Sequence, residues 1–562
     1  MMGRRSLTLF TILALLGAPA IAHAGGFEFA APGTRALGRG GAFMARADDP
    51  MALGYNPAAL AFLPGYQLML GSHLTFYDAC VDRTGNYHRT GSDHPVDSFL
   101  ESRFGYTDAN DPDNWINTEM PQVCRGGYPG PSPQLVFTAR LLPELGIGVG
   151  LLAPSGVGNG TWGNADGTVE VNGRALPTPI RYALTHQDLL LFHPTVGIGV
   201  SPVEWLSLGV SFQWGMAMVG FTNHTSAGMG TEDPAEDVHT VLHAEDWFIP
   251  AVIVSAHFVP IDALDIVLSA RMSDGIDGGG SLTLTTGYYG SNDPLATTSF
   301  APETTVVNGV RLQAGQPWQF GLAIRYADRR ERRYRDPDEA GRVTGRVEDQ
   351  MQNENWDIEL DVVYQHNGQV SDFVVTPPAG ATVAICDAPR NDNGECAGRL
   401  VATLPGTLPI AHGWQDQVSV RLGADWNILP GQLAARLGAH WESSGVNSVY
   451  QIQDFIPGMR LGLHAGMTLR FDRFDLSIAY AHIFQFTETV ADGMGNHRMV
   501  SATGNVGQCG DPSNGVPADA YDPNNPVPSR GCYPQGFGSV VNEGTYTGEF
   551  NVVSLQASYH FQ

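Results

Sequence analysis

The chain ends in Val553-Ser554-Leu555-Gln556-Ala557-Ser558-Tyr559-His560-Phe561-Gln562, and this run decides the fold. Val553, Leu555, Ala557, Tyr559 and Phe561 interleave with Ser554, Gln556, Ser558, His560 and Gln562. A period of two puts successive side chains on opposite faces of a strand. The pattern recurs upstream. Leu461, Leu463, Ala465, Met467, Leu469 and Phe471 alternate with Arg460, Gly462, His464, Gly466, Thr468 and Arg470. Val418, Val420, Leu422, Ala424 and Trp426 alternate with Gln417, Ser419, Arg421, Gly423 and Asp425. Trp356, Ile358, Leu360, Val362 and Tyr364 alternate with Asp357, Glu359, Asp361, Val363 and Gln365.

A soluble sandwich also alternates, but two features point to a barrel that crosses a bilayer. Aromatic residues sit near strand ends, as at Trp318 and Tyr326 or Trp356 and Tyr364, where interfacial girdles stand. Connections also alternate between short turns (142–144, 202–205, 260–263, 429–431, 472–473) and long loops (78–131, 273–312, 367–415, 487–547). Strands are expected at roughly 66–77, 134–142, 145–153, 183–201, 206–219, 245–258, 264–272, 315–327, 355–366, 416–427, 432–442, 460–471, 474–486 and 549–561. That gives an all-β, 14-stranded antiparallel transmembrane β-barrel, an even number as single-chain bacterial barrels have. The segment 328–354 fits poorly: it is long and highly charged, yet by count it joins two strands on the short-turn side.

Composition agrees. Of 562 residues, 31 are Lys+Arg (all of them Arg) and 57 Asp+Glu, a net charge of −26, which argues against a nucleic-acid partner. Only 16% are charged, while Gly reaches 68. A mean hydropathy of −0.11 is too polar for a bundle of membrane helices. Residues 1–24 read as a secretory signal: Arg4 and Arg5, the apolar run Leu7 to Ala20, then Ala22-His23-Ala24. Six cysteines in an exported chain suggest disulfides. The sequence-local pairing is Cys80–Cys124, Cys386–Cys396 and Cys509–Cys532, and all three pairs fall in long loops.

Residues 25–65 do not alternate and are rich in Gly, Ala and Pro. They are too few to build their own core, so they are either a disordered leader or a compact plug in the lumen, for which a 14-stranded barrel has room, with the barrel spanning 66–562. Here Gly38-Arg39-Gly40-Gly41-Ala42-Phe43, Ala47-Asp48-Asp49-Pro50 and Asn56-Pro57-Ala58 resemble the N-terminal hatch of the FadL/TodX-type outer-membrane transporters. Arg181 to Leu184, Asp188 to Pro194 and Ser273 to Gly280 resemble the same family more loosely. Tyr559-x-Phe561 resembles a barrel insertion signal, although Gln562 follows it, and makes the barrel-assembly machinery a partner during biogenesis.

The resemblance implies a monomer in the bacterial outer membrane, in contact with its lipid, that carries long-chain fatty acids or other hydrophobic compounds. It implies a hatch whose gating residues are Gly25, Gly26, Phe27, Phe29, Asn56, Pro57 and Ala58, with residues 25–30 moving to release ligand. It also implies a kink in the third strand that opens a lateral path. That strand carries Gly146, Gly148 and Gly150, and Pro154 follows.

Chemistry of other kinds is poorly supported. Gly158 to Gly163 match GxGxxG but open no helix, and no GxSxG or HExxH occurs, so neither an enzyme nor a metal or cofactor is expected. His440, His464 and His560 fall on the polar face and read as lumen lining. Asp357, Glu359 and Asp361 form an acidic ladder opposite in sign to Arg421, Arg436 and Arg470. Such charges fix a plug, or an Arg among them holds a ligand carboxylate. Trp162, Phe221 and Met229 lie in loops, where they either pack within the loops themselves or form a weak hydrophobic docking patch. The expected function is passive, hatch-gated uptake of a hydrophobic molecule, foremost a long-chain fatty acid. Aromatic or alkane uptake is the near alternative, and a surface adhesin or structural barrel the distant one.

Overall fold

The computed structural model describes residues 32–87, 119–153, 159–226, 237–289, 302–329, 349–369, 372–386, 399–410, 412–453, 458–491, 507–508, 532–533 and 541–561. The signal segment and Gly25, Gly26, Phe27 and Phe29 lie outside them.

Fourteen strands form the wall: β1 Tyr66–Arg83, β2 Gly130–Leu142, β3 Leu145–Leu152, β4 His186–Val203, β5 Leu206–Ser226, β6 Asp237–Ile261, β7 Leu264–Ser273, β8 Trp318–Arg329, β9 Glu354–His366, β10 Gln417–Leu429, β11 Leu433–Glu442, β12 Arg460–Phe471, β13 Phe474–Val490 and β14 Gly544–Phe561. Each pairs antiparallel with the next, and β14 returns to β1 in register from Tyr66↔Phe561 to Arg83↔Gly544. The barrel closes on itself through the β14–β1 ladder, and each of the fourteen wall strands has a partner on both sides.

Alternation sets the two faces. On β1, Leu68, Leu70, Leu74 and Phe76 are exposed while Gln67, Met69, His73 and Thr75 are buried. This inverts a soluble core: large apolar side chains point outward and polar ones inward, as a bilayer requires. Exposed aromatics mark both ends of that band. Trp205, Trp356 and Trp426 stand at the short-turn end, and Trp247, Trp318 and Phe486 at the long-loop end. No helix among the described residues is long and apolar enough to cross a membrane, which says nothing against strands.

All the expected strands are present, with two differences. Several run further at the long-loop end; β6 begins at Asp237 rather than 245. There it pairs with Ile276–Thr286, which pairs in turn with Glu303–Ala314. The sequence reading placed this hairpin inside the long loop 273–312; the alternation of Leu282 and Leu284 with Ser281, Thr283 and Thr285 is short and follows the glycines 278–280. Second, a bulge between Asp246 and Ile249 flips the inward phase of β6. The strands β8 and β9 pair as far as Arg329↔Glu354, so the strand count holds across the awkward segment 328–354, of which residues 330–348 lie outside the described ones. Its described end, with a helical turn at Gln350–Asn353, folds back under the lumen, where Gln350 Nε2 donates to the Arg46 carbonyl at 3.2 Å.

The Cys80–Cys124 disulfide is formed, between facing residues of β1 and the short strand Val123–Gly126. The other two pairings fall outside the residues whose side chains are described. Trp162 is not part of an exposed patch; it is 1% exposed, in a core with Tyr77, Leu184 and Phe550. Phe221 is half-buried, and Met229 lies outside the described residues.

Candidate functional site

From Gly33 to Leu63 every residue except Asp48 and Gly54 is buried. The segment holds α1 Thr34–Gly38, α2 Ala52–Tyr55 and a 3₁₀ turn Pro57–Ala61, and it fills the lumen at the short-turn end. Elements this short have no stability of their own, so the wall holds them.

One sector of the wall does so with charge. Arg39 is fully buried and binds Asp357 at 2.8 Å, Glu359 at 3.0 Å and also Asp425. Arg46 pairs with Asp357 and Asp48. From below, Arg325 reaches Asp265 at 3.1 Å, Asp357 at 3.1 Å and Glu354. Hatch backbone joins in: Phe43 N and Met44 N donate to Asp361, and Ala45 N and Arg46 N to Glu359. The acidic ladder of β9 is therefore a clamp on the plug. Elsewhere Arg35 binds Asp475 at 2.6 Å. Buried charges persist only when paired and hydrogen-bonded, and here each guanidinium is shared among carboxylates.

Another sector holds the hatch by close approach. A Cβ at Gly146 would lie 1.8 Å from the Leu60 carbonyl oxygen, one at Gly209 2.0 Å from Ala58 N, and one at Gly199 2.4 Å from the Pro57 carbonyl oxygen. Only glycine leaves room there for the 3₁₀ turn. Hydroxyls finish the contact: Ser255 Oγ accepts from Ala58 N at 2.9 Å, and Ser211 and Ser269 donate to the Leu53 and Tyr55 carbonyls. On the clamp's far edge, Gly40 takes φ +68 with its Cα packed on Ala439 backbone.

Asn56, Pro57 and Ala58 thus come together at the glycine seat. Asn56 Nδ2 donates to the Met44 carbonyl at 2.8 Å and lies 3.1 Å from His257 Nδ1, tying the two halves of the hatch to β6. Gly146 and Gly148 occupy the lumen phase of β3, and Gly148 faces Leu53 and Leu60; a Cβ at Gly150 would meet β2 at Leu135 and Val136. The His pair is lumen lining, with His440 Nδ1 and His464 Nε2 2.7 Å apart, and His560 meets Asp475 at 3.0 Å. Arg436 pairs with Asp425, and Arg470 with Asp475 and Asp349. The sequence reading named none of Arg39, Arg46, Gly199 or Gly209 as site residues. Glycines in the lumen phase of a strand were the signal for the last two.

Among the described residues one cavity lies on the hatch and two lie further along the barrel. A central one of about 110 Å³ lies above the hatch, between Met44, Met51 and Tyr55 below and Arg271, Arg421 and Gln365 on the wall. There Arg271 Nε donates to Gln213 at 2.9 Å, and Arg421 Nε to Ser419 at 3.0 Å. A second, of about 100 Å³, lies at the long-loop end among Leu184, Phe221, Leu242, Leu282, Phe373 and Ile410. The third, about 460 Å³, lies at the wall beside β4, with Leu189 to Phe192 and Met218. There the β3–β4 ladder stops at Leu152↔His193 and is resumed by Gly160↔Gln187, leaving Asp188–Phe192 without a described partner on that side.

No protein-family model and no curated protein sequence matches the chain. Among solved structures it is similar to a Pseudomonas aeruginosa FadL homologue, with a TM-score of 0.61, 12% identity, and 96% of this chain and 100% of that one covered. It is similar to the Pseudomonas putida toluene transporter TodX, with a TM-score of 0.54, 12% identity and 95% and 99% coverage. It is also similar to the CymD monoaromatic hydrocarbon channel, with a TM-score of 0.53, 12% identity and 95% and 99% coverage. In fold, the chain stands with the FadL-homologue and TodX-type structures that its hatch motifs resemble.

Proposed function

We propose that the chain is an outer-membrane channel for passive uptake of hydrophobic molecules, with residues 33–64 as a hatch that blocks free flow of water. The long loops would then face outside and the short turns the periplasm. The observation that carries this reading is a set of cavities in a barrel with a clamped plug: one among the long loops, a central one on the hatch, and one at the wall beside β4. The outer and wall cavities are lined mainly by apolar side chains, as sites for hydrophobic ligands are, while the central one mixes apolar and polar lining. The solved neighbours named as toluene transporter and monoaromatic channel agree with it. Nothing in the pathway calls for energy input; ligand would move between sites and leave laterally past the end of β3, with residues 25–30 gating the central site.

A long-chain fatty acid is the favoured ligand, because Arg271 and Arg421 border the central cavity and a guanidinium suits a carboxylate. Neutral hydrocarbons are the second reading, favoured by the apolar lining of the outer cavity.

The test is uptake by cells lacking their own fatty-acid channel and supplied with this chain, using labelled oleate and toluene in parallel. Oleate uptake that falls in Asn56→Ala and after deletion of residues 25–30 supports hatch-gated fatty-acid transport. Toluene uptake alone moves the substrate to hydrocarbons. Entry of neither, with the barrel folded in the membrane, removes the transport reading.

A further inference from the structure

The cavity at the wall differs in sign from the central one. Its apolar part is formed by Leu190, Phe192 and Met218. Its margin carries Asp188 and Glu245 together with His243, and no Arg is among its described lining residues. Both acids are exposed on the outer face of the barrel. Asp188 lies 2.9 Å from His186 Nε2, and its other oxygen accepts from Asn159. Glu245 accepts from Trp247 Nε1 at 3.2 Å. Gly220 lies between Asp188 and His243; a Cβ there would be 3.5 Å from Asp188 Cβ and 3.4 Å from His243 Nδ1, so only a glycine separates the carboxylate from that imidazole. The nearby guanidinium, Arg125, is turned toward β1: it donates to the Asn159 and Tyr77 carbonyls and lies 5.3 Å over the Tyr77 ring.

A molecule passing from the central cavity to the wall therefore leaves a site bordered by Arg271 and Arg421 for one bordered by Asp188 and Glu245. At the edge of a bilayer, where water is scarce, like charges are poorly screened. We propose that the wall cavity is a charge filter, which admits uncharged hydrophobic molecules and turns anions away, with Asp188 and Glu245 as its specificity-determining residues. A fatty acid would then leave only in its protonated form. The proposal rests on the transport reading above.

The experiment compares methyl laurate, which is neutral, with dodecanesulfonate, which stays anionic. In the uptake assay the ester enters, and the sulfonate enters about tenfold more slowly, equivalent to about 1.4 kcal/mol. Asp188→Asn with Glu245→Gln raises sulfonate entry about tenfold relative to the ester. Equal entry of the two through the unaltered chain, or a parallel change of both in the double variant, overturns the filter. A fluorophore on Leu190→Cys reads occupancy of the cavity independently of uptake. Brominated methyl laurate should quench it, and the brominated sulfonate should do so only in the double variant. That pattern without any uptake would sink the transport reading and leave the filter standing. Equal quenching by both in the unaltered pair of acids, with oleate still imported, would sink the filter and leave transport standing.

Discussion

The hatch meets the barrel in two unlike ways. Toward β8, β9 and β10 it is held by shared charge, Arg39 and Arg46 against Asp357, Glu359 and Asp425. Toward β3, β4 and β5 it is held by shape, with the Pro57–Ala61 turn lying on Gly146, Gly199 and Gly209. Charge pairs tolerate small shifts of a long side chain but not loss of a partner. A glycine seat tolerates no added atom, yet asks nothing of its chemistry. The lumen wall thus specifies the plug by counter-charge on one side and by absence of side chains on the other.

The comparison predicts an order of effects. Gly209→Leu should be most damaging, because its side chain would need the space of Ala58 and Pro57 backbone. Overpacking of this kind costs about 3 kcal/mol or more, and the heat-modifiable folded band on a gel should be lost or strongly reduced. Next, Asp357→Ala leaves Arg39, Arg46 and Arg325 short of a shared buried carboxylate. Removing one partner of a buried pair costs about 3–5 kcal/mol, read as a lower urea midpoint; here the barrel should still assemble, since its ladders are untouched. If Asp357→Ala proves worse for assembly than Gly209→Leu, the division into clamp and seat is wrong. Asn56→Ala follows, at about 1–3 kcal/mol for a buried carbonyl left without its donor. Smallest should be Cys80→Ser with Cys124→Ser, which frees Val123–Gly126 beside β1; faster amide exchange there, with an unchanged urea midpoint, is the expected result.

The wall was legible because a barrel strand repeats one rule: Leu461 to Phe471 and Val553 to Phe561 announce their outward face at every second residue. The hatch motifs around Asn56 were legible only through resemblance, since residues this rich in Gly and Ala carry no periodicity of their own. The carboxylates of β9 were visible as a ladder, but their partners were not. Arg39 lies 318 residues from Asp357 in the chain, and no local pattern links them. The hairpin at Ile276–Thr286 stayed hidden because its apolar face is carried by only Ile276, Leu282 and Leu284, interrupted by three glycines, too short a run to stand out from a loop.

Ion conductance in a planar bilayer tests the central claim most directly, namely that a clamped hatch fills the lumen of a barrel that passes only hydrophobic molecules. The intact chain should carry no steady ion current, and deletion of residues 33–64 should open the lumen to one. A steady, porin-like current through the intact chain would contradict the account.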